Sequence, residues 1–144
     1  MKITSRFTVA VHILLCIHRF SGEYKVTSEF IASSVNVNPV VIRRTLGQLQ
    51  EAGLVETARG SGGSALARNL GSITLLDVYN AVESVEGELF NFHDNPNPSC
   101  PVGKNVHRLL DRHLADAQRA LEVSLRKVKL SELAGDLDKI LAVL

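Results

Sequence analysis

NPVVIRRTLGQLQEAG, residues 38–53, is the stretch whose reading decides the fold. Asn38 is an N-cap residue. Pro39 suits the first helical position, where its missing N–H costs nothing. Ile42, Thr45, Leu46 and Leu49 recur at i, i+3, i+4 and i+7 and form one face. At about 100° per residue, Val40, Arg43, Arg44 and Gly47 fall on the other. The pattern predicts a helix from Pro39 to Ala52, stopped at Gly53, with two arginines pointing outward near its N-terminal end.

Upstream, Asn36-Val37-Asn38 interrupts a short predicted helix. Thr27 is its expected cap, Glu29 lies in its first turn, and Phe30, Ile31, Ser34 and Val35 make its inner face. Residues 5–20 carry Phe7, Val11, Leu14, Leu15 and Ile17 at helical spacing after the cap candidates Thr4 and Ser5. Downstream, Leu54–Thr57 and Ser64–Ala67 read as strands around Ala58-Arg59-Gly60-Ser61-Gly62-Gly63, a glycine-rich tip too long for a two-residue hairpin. Helix, short helix, sharp turn, helix with outward arginines and glycine-rich hairpin follow the layout of a winged helix-turn-helix. Such a unit places its third helix in the DNA major groove and its wing in the minor groove or on phosphate.

Beyond the wing, Thr74 and Asp77 form a capping box for a fourth helix lined by Leu75, Val78, Val82 and Val85. Residues 87–101 break all periodicity. From Val102 to about Lys129, Val106, Leu110, His113, Ala117, Leu121, Ser124 and Val128 keep a period near 3.5. That helix, about 40 Å long, outreaches one small domain. Ser131 is the expected cap of a last helix carrying Leu133, Leu137, Ile140, Leu141 and Leu144. The fold class is therefore mainly α with a small β-hairpin. The expected division is a winged helix-turn-helix over 1–86, a loop over 87–101, and a dimerisation helix plus C-terminal helix over 102–144.

The 144 residues suffice for one domain with an extension. Net charge is +1, yet residues 1–70 hold eight Lys/Arg against four Asp/Glu, and residues 71–144 eight against eleven, giving +4 and −3. A basic N-terminal module facing a polyanion is implied. Cys16 and Cys100 are too few for a disulfide framework. The longest apolar run, Val9–Ile17, is far short of the ~20 residues of a membrane helix and lacks a cleavage site, so a cytoplasmic protein without membrane contact is expected. His12 and His18, like His107 and His113, are six apart and do not stack as i, i+4 metal ligands would. The wing lacks the Gly-Lys-Ser/Thr ending of a phosphate-binding loop. No Ser/His/Asp or paired-carboxylate arrangement stands out, and neither an enzyme nor a bound metal or cofactor is expected.

Several segments together carry a resemblance. Ile3-Thr4-Ser5-Arg6 and Val9-Ala10-Val11, residues 27–49, Ala52-Gly53-Leu54-Val55, the wing with Leu66-Ala67-Arg68, and Ile73–Val78 with Glu83 resemble the Rrf-two family of bacterial winged-helix regulators. The likeness extends through Cys100-Pro101-Val102 to Lys129-Leu130-Ser131-Glu132-Leu133. It implies a homodimeric transcription factor, usually a repressor, dimerised through the long helix. Some members bind an iron-sulfur cluster through three cysteines in and after the loop. Here only Cys100 stands there, which points to the cysteine-poor branch.

The expected function is a sequence-specific regulator on a palindromic double-stranded operator, answering a redox, thiol or small-molecule signal or a protein effector. Alternatives are a winged-helix protein-interaction module and a cluster sensor. Candidate DNA contacts are Lys2, Arg6, Thr27, Ser28, Asn38, Val40, Arg43, Arg44, Arg59, Ser61 and Gly62. Thr27, Ser28 and Asn38, at helix N-termini, are expected on phosphate. Cys100, in an irregular loop before the positive end of the long helix, is the candidate sensor, whereas Cys16 reads as a small core hydrophobe.

Overall fold

Thr4, Thr27, Asn38 and Thr74 each start a helix with a side-chain oxygen on a backbone N–H, and these four caps set the frame of the chain. A computed structural model describes residues 4–57, 63–83 and 89–143. Among them the order is α1 (Ser5–Phe20), α2 (Ser28–Val35), α3 (Pro39–Glu51), β1 (Val55–Thr57), β2 (Ser64–Leu66), a 3-10 turn at Leu70–Ser72, α4 (Leu75–Val82), α5 (Pro101–Arg126) and α6 (Leu130–Ala142). The mainly helical fold with one hairpin is the one expected.

The core gathers Ile13, Leu14 and Ile17 of α1, Ile31 of α2 and Ile42 and Leu49 of α3, all fully buried. Val78 and Val82 of α4 close it from the other side. Each such side chain contributes about 1.5–3 kcal/mol on leaving water. α2 ends on Asn36 in the left-handed region at φ 65°, and Asn38 restarts the chain as the cap of α3. Strands β1 and β2 pair antiparallel, Val55 opposite Leu66 and Thr57 opposite Ser64. The Ser64 N–H donates to the Val26 carbonyl at 2.8 Å, tying the hairpin to the entry of α2. Gly63 fits that junction alone: its φ is +76°, and a Cβ would lie 2.9 Å from the Val26 nitrogen.

Three expectations shift. α5 ends at Arg126 rather than Lys129, because residues 128–130 leave the helix to pair with the start of α4. The Leu75 N–H donates to Val128 and the Leu130 N–H to Ile73, at 2.9 and 2.8 Å, around an antiparallel bridge of Thr74 with Lys129. The last helix accordingly starts at Leu130 with Lys129, not Ser131, as its N-cap residue. On α2 Ile31 and Ala32 are buried and Phe30 and Val35 pack partly buried against the core, while Ser34 is exposed and turns toward α1. Lys2, Arg59, Ser61, Gly62, Val85 and Leu144 lie outside the described residues.

α6 folds back on α1 and the 3-10 turn, sinking Leu130 and Ala134 into the core. α5 behaves differently. It spans 26 residues, about 39 Å at 1.5 Å per residue, and buries none of them. Its first turn is fixed by the preceding loop: Gly103 approaches Asn97 so closely that a Cβ would meet the Asn97 carbonyl at 2.4 Å.

Candidate nucleic-acid interface

The register of α3 settles which side chains face outward. Ile42, Thr45, Leu46 and Leu49 are buried, and Thr45 satisfies its hydroxyl on the Val41 carbonyl at 2.9 Å. Val40, Arg43, Arg44 and Gly47 are consequently exposed, as the sequence pattern requires. A Cβ on Gly47 would meet nothing within 4 Å, so this face is smooth and open. Asn38 caps α3 through Val40 N–H at 2.9 Å, and Thr27 caps α2 through Phe30 N–H at 3.1 Å. Each thus holds one orphan donor of its own helix, with Ser28 half-exposed in the first turn of α2.

Arg43 is not free. Its guanidinium lies 3.2 Å from the Glu29 carboxylate, across the turn from α3 to α2, with both side chains more than half exposed. A pair in that setting contributes only about 0–1 kcal/mol and yields readily to a stronger anion. Glu29 was read in the sequence as a helix-start residue, and its place opposite Arg43, fourteen positions away, gave no sequence signal.

Arg6 also has a partner within the fold. Glu83, with a side chain only 2 % exposed, receives the Thr4 hydroxyl at 2.6 Å and the Thr4 N–H at 3.1 Å. The Arg6 guanidinium sits 3.7 Å from its second oxygen and donates from Nε to the Thr4 hydroxyl at 3.0 Å. The entry of α1 is thereby clamped to the end of α4. Burial raises the pKa of the neighbouring Tyr79 phenol, and Glu83 and Glu122 add to the effect.

Cys100 is the N-cap residue of α5. The backbone N–H of Gly103, then that of Val102, lowers its pKa by favouring the thiolate. His107 is stacked by Phe92 at 4.2 Å and meets the His93 ring edge-on at 5.9 Å. Cys16 is buried and far along the chain in α1. Among the described residues no three His, Cys, Asp or Glu side chains converge as metal ligands.

Comparison with known proteins places this arrangement. A family model described as Rrf2, iron-dependent transcriptional regulator, matches residues 3–136. The chain belongs to the Rrf2 family. YwnA of Bacillus subtilis, named as an HTH-type transcriptional regulator, is 44% identical over 135 residues, covering 94% of this chain and 98% of that one. A crystal structure described as that of a DNA binding protein superposes with a TM-score of 0.71 at 38% identity, over 90% of this chain and 98% of the other. CymR, the global cysteine regulator of B. subtilis, shares the fold at TM-score 0.67 and 23% identity, over 94% and 97% of the two chains. This Rrf2 protein is a transcriptional regulator of a DNA-binding family and not an enzyme. No helix among its described residues is long and apolar enough to cross a membrane. The iron-sulfur chemistry that the family resemblance brings with it does not fit here. A cluster needs several soft thiolates, and Cys100 has no second thiolate beside it.

Proposed function

We propose that this Rrf2 protein is a cytoplasmic, sequence-specific repressor that binds a palindromic operator as a homodimer. The observation that carries the reading is the outward face of α3, where Val40, Arg43, Arg44 and Gly47 stand exposed on a helix whose other face is sunk in the core. A helix of this kind fits the major groove, and its N-terminal arginines reach base edges or phosphate. Thr27, Ser28 and Asn38 would position the protein on the backbone through helix N-termini, and Arg59 with Ser61 and Gly62 would follow from the wing. Lys2 and Arg6 would add phosphate contacts, Arg6 at the expense of its link to Glu83.

α5 supports the dimer. Val102, Leu109 and Val123 fall on one heptad series, interrupted by Asp116, and remain exposed, Val102 and Leu109 by about two-thirds, with Leu110 beside them. Such a stripe is stabilised when a second copy covers it. A two-fold pair would set two recognition helices about 34 Å apart, one turn of DNA, or a multiple. Cys100 at the head of the same helix would be a thiol input, since modification there acts on the element that spaces the two reading heads.

The test is DNA affinity of the whole protein against its salt dependence. Neutralising phosphates makes the affinity fall steeply with salt. The Arg43→Ala, Arg44→Ala, Arg59→Ala triple variant should lose at least about 1–3 kcal/mol for operator DNA. Unchanged binding by a folded triple variant removes the DNA reading and leaves a protein-interaction module.

A further inference from the structure

A groove of about 570 Å³ runs along α1 between α2 and α6, its floor meeting the core at Cys16. Its length, from Thr8 to Phe20, is about 18 Å at 1.5 Å per residue. Val11, Leu15 and Phe20 line one wall and Leu137 and Leu141 of α6 the other. A few polar groups converge on one stretch of this apolar trough. His12 Nε2 lies 2.8 Å from the Ser34 hydroxyl, and the Cys16 thiol donates to the same oxygen at 3.3 Å. Arg19 lies seven residues, about 10 Å, further along α1 at the Phe20 end, its guanidinium 5.9 Å from the centre of the Phe20 ring. Among the described residues no acidic side chain lines the groove. Apolar walls with a small, one-sided set of polar groups are the composition of a small-molecule site.

We propose that this groove binds an amphipathic carboxylic acid, its carboxylate on Arg19 and its apolar chain lying between α1 and α6 past the His12–Ser34 pair. The charge decides the head group: among the described residues the only formal charge in the lining is a cation, so an anion is favoured over a cation or a neutral head. The place in the fold gives the consequence. Ser34 belongs to the last turn of α2, two residues before the left-handed Asn36 that sets the angle of α3. A ligand seated on Ser34 and on α6 has different contacts when α2 shifts, which is the requirement for an effector. The effector role rests on the DNA-binding reading; occupancy of the groove does not.

Sodium decanoate and decanol are the probes, titrated into the whole protein and followed by amide NMR shifts. Saturable decanoate shifts confined to residues around Ser34, Leu15 and Leu137 are expected. Arg19→Gln should weaken decanoate about fivefold or more and leave decanol unchanged, because it removes a charge and little apolar surface. Leu15→Trp, which fills the trough, should abolish both. Absence of saturable shifts, or an Arg19→Gln effect equal for acid and alcohol, overturns the site. So does a change of solution mass in Leu15→Trp when the parent protein shows no decanoate binding, which would make the groove the seat of a second copy. Operator affinity with and without decanoate completes the test. A severalfold change is expected, and an unchanged affinity with decanoate bound removes the effector role. Failure to bind DNA even without decanoate would count against the DNA reading alone.

Discussion

α3 and α5 are both amphipathic, and the fold treats them in opposite ways. Thirteen residues of α3 bury Ile42, Thr45, Leu46 and Leu49. Twenty-six residues of α5 bury none and leave Val102, Leu109, Leu110 and Val123 exposed. The buried face of α3 is already used, so what it offers outside is basic, Arg43 and Arg44 with Val40 and Gly47 beside them. α5 packs on α4 and on the segment carrying Leu89, Phe92 and His93, and offers an apolar stripe besides. The first surface suits a polyanion and the second suits a surface like itself, which is why one chain carries two kinds of unfinished contact.

The comparison breaks most sharply in stability and mass. Leu49→Ala leaves a hole in the core and should cost about 2–5 kcal/mol in denaturant unfolding, while the proposed dimer keeps a solution mass of twice 15.7 kDa. Leu109→Asp with Val123→Asp should do the reverse. Mass by sedimentation falls to 15.7 kDa while the helical circular dichroism is kept, because isolated surface changes alter folding by only about 0.5 kcal/mol each. A double variant that stays at twice that mass moves the interface off this stripe.

The two helices also differ in how much of them was legible. α3 announces itself through Asn38-Pro39 and a clean 3.6 period, and its exposed and buried residues match that pattern one by one. The ends of α5 and α6 did not, because Val128 and Lys129 are drawn out of the helix by bonds to Ile73, Thr74 and Leu75, some 55 positions away. Local preference carries no trace of such pairing. The same holds for the candidate site. The outward arginines are read from spacing, whereas Glu29 beside Arg43 and Glu83 on Thr4 are brought there by tertiary packing. Ser34, expected inside, faces His12 and Cys16 across a groove that no period reveals.

Cys100 sharpens the view of α5 as the responsive helix. Its pKa lies below the ordinary thiol value, so the reactive thiolate appears at lower pH than in an unfolded chain. Iodoacetamide rates should therefore have their midpoint at lower pH in the folded protein than in urea. Cys16 is buried and should react slowly when folded. Alkylation of the parent should shift operator affinity by about 1–3 kcal/mol, the usual size of coupling between sites, and Cys100→Ser should show no shift. Equal losses in both proteins would acquit Cys100.

The smallest effect concerns α3 and tests whether its face is poised for an anion. Glu29 holds Arg43 at 3.2 Å and also lies in the first turn of α2, where a carboxylate favours the helix dipole. Glu29→Gln should therefore act with opposite signs on two readouts. Folding should weaken by about 0.3–1 kcal/mol through the dipole and the lost pair. DNA affinity should rise about two- to fivefold at low salt, because Arg43 no longer leaves a partner and a negative charge is removed from the contact surface. The gain should shrink as salt screens both terms, since both groups are exposed. In the Arg43→Ala background the part of the gain due to releasing Arg43 should disappear, leaving the part due to charge. If Glu29→Gln lowers DNA affinity instead, the Arg43–Glu29 pair is a positioning device that aims the guanidinium, and the outward face of α3 is pre-set rather than waiting.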